Sequence, residues 1–192
     1  MTENLSCVVF WFRRNLRLHD NHGLYTALKS DLPVLPVFIF DKSILDSLER
    51  NDARVSFIHQ TLSNIDIKLQ EFGTSLLVLH DKPIEAFKKI CNKFQVKEVF
   101  ANHDYEPYAI QRDREIETLL HSKNISFNTL KDQIIFEKNE VLKKDGTPYT
   151  IFTPYSKVWK AELGKQNLTF FPSEKFTKNY RTCSSKNIFN RC

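Results

Sequence analysis

Three short polar segments carry the residues best suited to hold a planar, polar molecule. Arg13 and Arg14 follow one apolar run, Asp41 closes a second, and Asp104 and Glu106 follow a third. Phe38, Tyr105 and Tyr108 lie close to them in sequence and offer flat apolar surfaces. Guanidinium and carboxylate groups give directional hydrogen bonds, and an aromatic wall holds a ring by its face. A plainer account is also open, in which these charges solvate loop ends and pair with one another.

Other chemistries find less support. His19 and His22 flank Asp20, but spacing places no third metal ligand, and a capped helix start explains them better. His103 beside Asp104 resembles an acid/base pair with no nucleophile indicated nearby, and no G-x-S-x-G elbow occurs. Only Gly23, Gly73, Gly146 and Gly164 are present, no two closer than 18 residues, so neither G-x-G-x-x-G nor a Walker A loop can form. Trp11 and Trp159 read as core aromatics. No catalytic site and no metal site emerges from the residues alone.

The elements that must position these groups follow from hydrophobic patterning. Residues 5–12 and 34–40 are continuous apolar runs, as expected of strands buried on both faces. Shorter strands are predicted at 76–79, 96–101 and 125–130. Between them, Asp20 or Asn21 can cap a helix over 22–29. Val55, Ile58, Leu62, Ile65, Leu69 and Phe72 form a helical stripe stopped by Gly73. Pro83 opens another helix, and Ile110, Ile116, Leu119 and Leu120 share a face of a further one. Strands alternating with helices predict an α/β fold, a doubly wound parallel sheet with helices on both faces. With strand order 3-2-1-4-5, ligands belong in the crevice at the carboxyl ends of the first and fourth strands, beside the second. Arg13, Arg14, Asp41, Asp104 and Glu106 would converge at that mouth. Residues 136–159 mix turn signals with apolar residues, and the last thirty residues lose periodicity.

Composition agrees with one packed domain. The chain has 192 residues, 41% of them hydrophobic, with 16 Phe to build a core. No apolar run approaches the ~20 residues of a membrane helix. Glu3 precedes the first apolar run and arginines follow it, the reverse of a secretory signal, so a cytoplasmic location is expected. The four cysteines are no closer than nine positions apart and read as free thiols, two of them in the core. The net charge of +5 is concentrated at the end: residues 157–192 hold eight basic and two acidic residues. Such a tail reads as a solvated segment rather than a nucleic-acid surface.

Four blocks carry a family resemblance. VFWFRRNLRLHDNHGLYTAL (9–28) resembles the opening of DNA photolyases and cryptochromes, with its W-x-R-x-x-L-R-x-x-D-N pattern. RVSFIHQTLSNIDIKLQEFGTSLLVLHDKP (54–83), NHDYEPYAIQRDREI (102–116) and GTPYTIFTPYSKVW (146–159) follow in the family's order. Asn15 stands where the family often has Asp.

The resemblance implies the family's N-terminal five-stranded α/β domain over residues 1–163, most like that of a cyclobutane pyrimidine dimer photolyase. Residues 164–192 would begin the connection to a helical domain. That domain holds the catalytic FAD and most contacts with damaged DNA, so this chain alone is expected to be inactive in light-driven dimer splitting. In that family the α/β half binds an antenna chromophore, which varies between a folate, a deazaflavin, a flavin and none. Matched motif to motif, Arg14, Phe38, Asp41, Asp104 and Glu106 would line its pocket. Phe38 would supply a ring wall, Asp104 and Glu106 hydrogen bonds, and Arg14 an ion pair or stacking surface; for Arg13 or Arg17 the alternative to binding is to tie the first strand's exit to nearby acids. The N-terminal half of a signalling cryptochrome, or a stand-alone small-molecule-binding α/β protein, are the alternatives. The expected partners are the chromophore, the helical domain and, through the full-length protein, ultraviolet-damaged DNA, with no membrane. Away from the helical domain, the surface at 152–159 should stay apolar and promote association.

Overall fold

The structure, a computed structural model, describes residues 6–182. Leu5, Cys183 and Cys192, assigned above to the first strand and to free thiols, lie outside the described residues. Five strands, β1 (Cys7–Phe12), β2 (Val34–Asp41), β3 (Leu77–Asp81), β4 (Val96–Asn102) and β5 (Ser126–Leu130), form one sheet in the order β3-β2-β1-β4-β5. Every pairing is parallel. This is the α/β, doubly wound architecture expected from the patterning, with its switch point between β1 and β4.

The helices are α1 (His22–Leu28), α2 (Lys42–Leu45), α3 (Ala53–Glu71), α4 (Pro83–Lys93), α5 (Pro107–His121) and α6 (Phe152–Leu163). The central strand shows why its sequence is apolar throughout. Cys7, Val9 and Trp11 pack on one face with Phe87 and Ile90 of α4 and Ile116 and Leu120 of α5. Val8, Phe10 and Phe12 pack on the other with Leu24 and Leu28 of α1 and Leu62, Ile65 and Leu69 of α3. Each fully buried large side chain contributes about 1.5–3 kcal/mol, and β1 alone supplies several. Pro83 opens α4 without needing the amide it lacks.

Several local expectations change. Asn21, not Asp20, caps α1, its side chain accepting from the Leu24 amide at 3.1 Å. On α5 the buried stripe is Ala109, Arg112, Ile116 and Leu120, and Ile110 faces solvent. Residues 152–163 form α6, which turn signals had obscured. Trp159 is half-buried and meets Phe136 edge-on, so it sits at the margin of the core. Cys7 is buried and Cys91 half-buried, both free.

Part of the aperiodic tail is also packed. A 3-10 segment, Ser173–Asn179, lies against α1. Phe171 stacks on His22 with centroids 3.9 Å apart, Ser173 Oγ donates to the Leu18 carbonyl, and Asn179 Nδ2 donates to the Leu28 carbonyl. Tyr180 is buried beside Val34, whose carbonyl accepts from the Arg181 amide at 2.8 Å.

Candidate functional site

Because the strands are parallel, all their carboxyl ends open on one side, yet the crevice between β1 and β4 is filled by the protein's own polar groups. Asn102 at the end of β4 accepts from the Gly23 amide at 2.9 Å and donates to Asn21 Oδ1 at 2.9 Å. Asp132 accepts from the His22 amide at 2.9 Å, from Arg17 at 2.9 Å and from Asn15. Arg17 thus forms an ion pair with Asp132 at this turn, beside Asn15. These contacts consume the free amides at the start of α1, which is consistent with the missing glycine-rich loop. A Cβ at Gly23 would lie 2.4 Å from Asn102 Oδ1, so the close approach of α1 to β4 requires glycine here.

The opening is displaced toward β2. A cavity of about 350 Å³ lies at the ends of β1 and β2. β1 and its exit contribute Trp11 to Arg14, and β2 contributes Phe38 to Asp41. Ile44 and Leu48 come from α2 and the turn after it, and Val55 and Ile58 from α3. Asp104, Glu106 and Arg112 complete the lining from the β4–α5 side. Arg14, Phe38, Asp41, Asp104 and Glu106, expected to share a mouth, are therefore brought together. Tyr105 and Tyr108 are outside this lining.

Their internal contacts differ in kind. Phe38 is 7% exposed and meets Phe40 edge-on at 5.0 Å. Asp41 is buried and has structural work: it caps α2 through the Ser43 amide at 2.9 Å and accepts from the Tyr108 hydroxyl. Burial, reinforced by that hydrogen bond to a carboxylate, pushes the Tyr108 phenol up. Arg14 bridges to Glu106 at 2.7 Å and to Asp104 at 3.6 Å, with Arg14 and Glu106 exposed and Asp104 half-buried. An exposed pair of this kind contributes about 0–1 kcal/mol and can open for a ligand at little cost.

Behind it lies a buried charge cluster that the sequence reading did not assemble. Asp113 joins Arg13 at 2.7 Å and Arg112 at 3.1 Å, and Arg112 also approaches Asp104 at 3.8 Å. Both guanidinium groups lie over Trp11, at 4.1 Å for Arg13 and 4.9 Å for Arg112. Burial outweighs the ion pair with Asp113 and pulls Arg13 down to about 10. Arg112 was obscured because it occupies an apolar position of the α5 stripe. His103 pairs with Glu137 at 2.6 Å rather than serving Asp104, and His22 bonds the Lys131 carbonyl through Nδ1.

The volume, the apolar wall and the charged groups on the other sides suit a drug-sized planar molecule with polar edges. Against this geometry, comparison with known proteins is specific: a family profile described as DNA photolyase matches residues 8–173. The chain belongs to the DNA photolyase family.

Among relatives of this photolyase-family domain, a deoxyribodipyrimidine photo-lyase from Synechococcus sp. is 32% identical over 81% of the chain and 32% of that protein. An uncharacterized 31.6 kDa protein from another Synechococcus strain is also 32% identical, over 80% of the chain and 54% of that protein. The crystal structure of a class III photolyase from Agrobacterium tumefaciens superposes with a TM-score of 0.79 at 23% identity, covering 97% of the chain and 38% of that structure. The crystal structure of an archaeal photolyase from Sulfolobus tokodaii, described with two FAD molecules and as implying a novel light-harvesting cofactor, gives 0.67 at 25% identity, covering 91% and 42%. The photolyase-family domain thus spans about a third of the first of these curated relatives and about half of the second. The profile match and the sequence relatives, with the fold, place it as the N-terminal α/β domain of the family.

Proposed function

We propose that this chain is the antenna-binding part of a deoxyribodipyrimidine photo-lyase. The observation that carries the reading is the cavity at the ends of β1 and β2, where an aromatic wall, apolar side chains and both signs of charge meet. A deazaflavin, flavin or folate needs these groups: a face to lie on, and donors and acceptors for its polar edges. Phe38 forms the face, Asp104 and Glu106 accept hydrogen bonds, and Arg14 closes the exposed side by stacking or ion pairing. Asp41 acts mainly by fixing α2 and Tyr108. Such a group, when bound, supplies absorption of near-ultraviolet or blue light and passes the excitation onward. Lesion splitting is assigned to the longer polypeptide with its FAD domain, not to these residues.

The relative of intermediate length keeps a second reading open, a separate small-molecule-binding α/β protein. DNA beyond codon 192 that continues into a helical flavin-domain sequence, directly or after a frameshift, would remove it. The binding test is a titration with a 5-deazariboflavin, riboflavin or a reduced folate. Replacing Asp104 and Glu106 together by Ala should weaken binding about tenfold or more, the worth of a hydrogen bond to a charged group. Unchanged affinity in that variant would discredit the assigned site.

A further inference from the structure

One wall of the cavity is built unlike the others. Between Asp41 and Leu62 no residue is buried, although this stretch carries Ile44, Leu45, Leu48, Val55, Phe57 and Ile58. It comprises α2, the turn after it and the first turns of α3. Of its apolar side chains, Ile44, Leu45, Leu48, Val55 and Ile58 line the cavity. Ile44 is 43% exposed and the other four are half-buried, so the domain's own core does not cover them. The facing wall differs: Trp11, Phe12, Phe38 and Ile39 belong to the sheet and are buried. An apolar side chain left partly in water is a favourable contact still to be made, and a planar molecule between the two walls would make it.

Between Ser43 and Arg54, backbone hydrogen bonds run within the segment. The Asp46 amide donates to the Lys42 carbonyl, the Ser47 amide to Ile44 and the Asp52 amide to Glu49, while Arg54 grips Asp52. A tie to the rest of the domain is made at Asp41, the last residue of β2. Its Oδ1 accepts from the Ser43 amide and its Oδ2 from the Tyr108 hydroxyl of α5. A segment with few buried apolar contacts and locally closed hydrogen bonds opens at a lower free energy than the core it adjoins.

We propose that residues 42–61 are a lid that opens to admit a planar ligand and closes its apolar face upon it. Asp41 and Tyr108 form the latch at one end. Leu62, where α3 enters the core, marks the hinge at the other. The inference rests on the reading of this cavity as a ligand site and adds how that site is entered. Closure removes the apolar face of the lid from water, and part of the binding energy of the ligand goes into ordering the segment.

Hydrogen exchange on the full chain tests the lid before any ligand is added. Amides of residues 43–58 should exchange about a hundredfold faster than the interior of α4 and α5, and trypsin should cut after Arg50 or Arg54 before it cuts in those helices. Saturating riboflavin, 5-deazariboflavin or tetrahydrofolate should then slow exchange over 43–58 about tenfold and leave α4 within about twofold. Tyr108→Phe, which frees one oxygen of Asp41, should speed exchange over 43–48 about tenfold without ligand and leave β1 and β4 as they were. An unchanged rate there would refute the latch. If the segment exchanges as slowly as α4 and α5 without ligand, or if a bound probe leaves its exchange unaltered, the lid is refuted while the cavity reading stands. Binding of none of the three probes would overturn the cavity reading and the lid with it.

Discussion

Asp113 shows how closely the candidate site depends on single side chains. It is the shared counter-ion of Arg13 and Arg112, two guanidinium groups stacked over Trp11 behind the cavity. Asp113→Ala leaves both buried charges without their main partner, and should destabilise the domain by about 3–5 kcal/mol. The shift in the urea midpoint at constant m-value measures it; a change below about 1 kcal/mol would mean that the cluster is solvated and not a structural unit. At this scale the sequence was only partly legible. Arg14, Asp41, Asp104 and Glu106 could be placed because each follows a strand end, where parallel topology forces convergence. Arg112 and Asp113 could not, because they lie inside a helix and are joined to β1's exit only by tertiary packing. Equally, nothing in the local pattern distinguishes Arg13, held against Trp11 and Asp113, from Arg14, which is paired across the mouth.

At the scale of elements, strands buried on both faces announced themselves as continuous apolar runs, and α3 and α4 by their stripes and their Gly and Pro boundaries. Short or aperiodic elements did not. α2 has four residues, and the 3-10 segment is held by separate aromatic contacts instead of a repeating face. Its anchor makes a testable pH dependence. Burial pushes the Tyr180 phenol well above its ordinary value of 10.0, because the charged form would lose its hydration. A raised folded-state value means that the stabilisation is complete below the unfolded value and is lost as pH rises from there toward the folded one. Between about pH 9 and 11 the unfolded chain releases this proton while the folded chain keeps it, so Tm should fall. In Tyr180→Phe the fall should be shallower over the same interval. Identical slopes for the two proteins would show that Tyr180 is not held neutral by this packing.

The whole molecule presents a folded sheet domain with an uncovered apolar margin. Ile151 is 65% exposed and Phe152 77%, at the start of α6, with Leu168 and Phe170 exposed nearby in sequence. Monomeric proteins keep such patches small, so the chain alone should associate at high concentration. Static light scattering should show a mass rising with concentration, and Ile151→Ser with Phe152→Ser should reduce the rise; a concentration-independent monomer would contradict it. Among the described residues no helix is long and apolar enough to cross a membrane. Light collection by the cavity at the ends of β1 and β2, as proposed above, can be read by reconstitution. Purified chain is incubated with a deazaflavin, riboflavin or a reduced folate, freed of unbound ligand by gel filtration, and its absorption spectrum recorded. One of them should be retained at close to one per chain, with a band displaced from that of the free chromophore. Retention of none, with the protein folded, would contradict it.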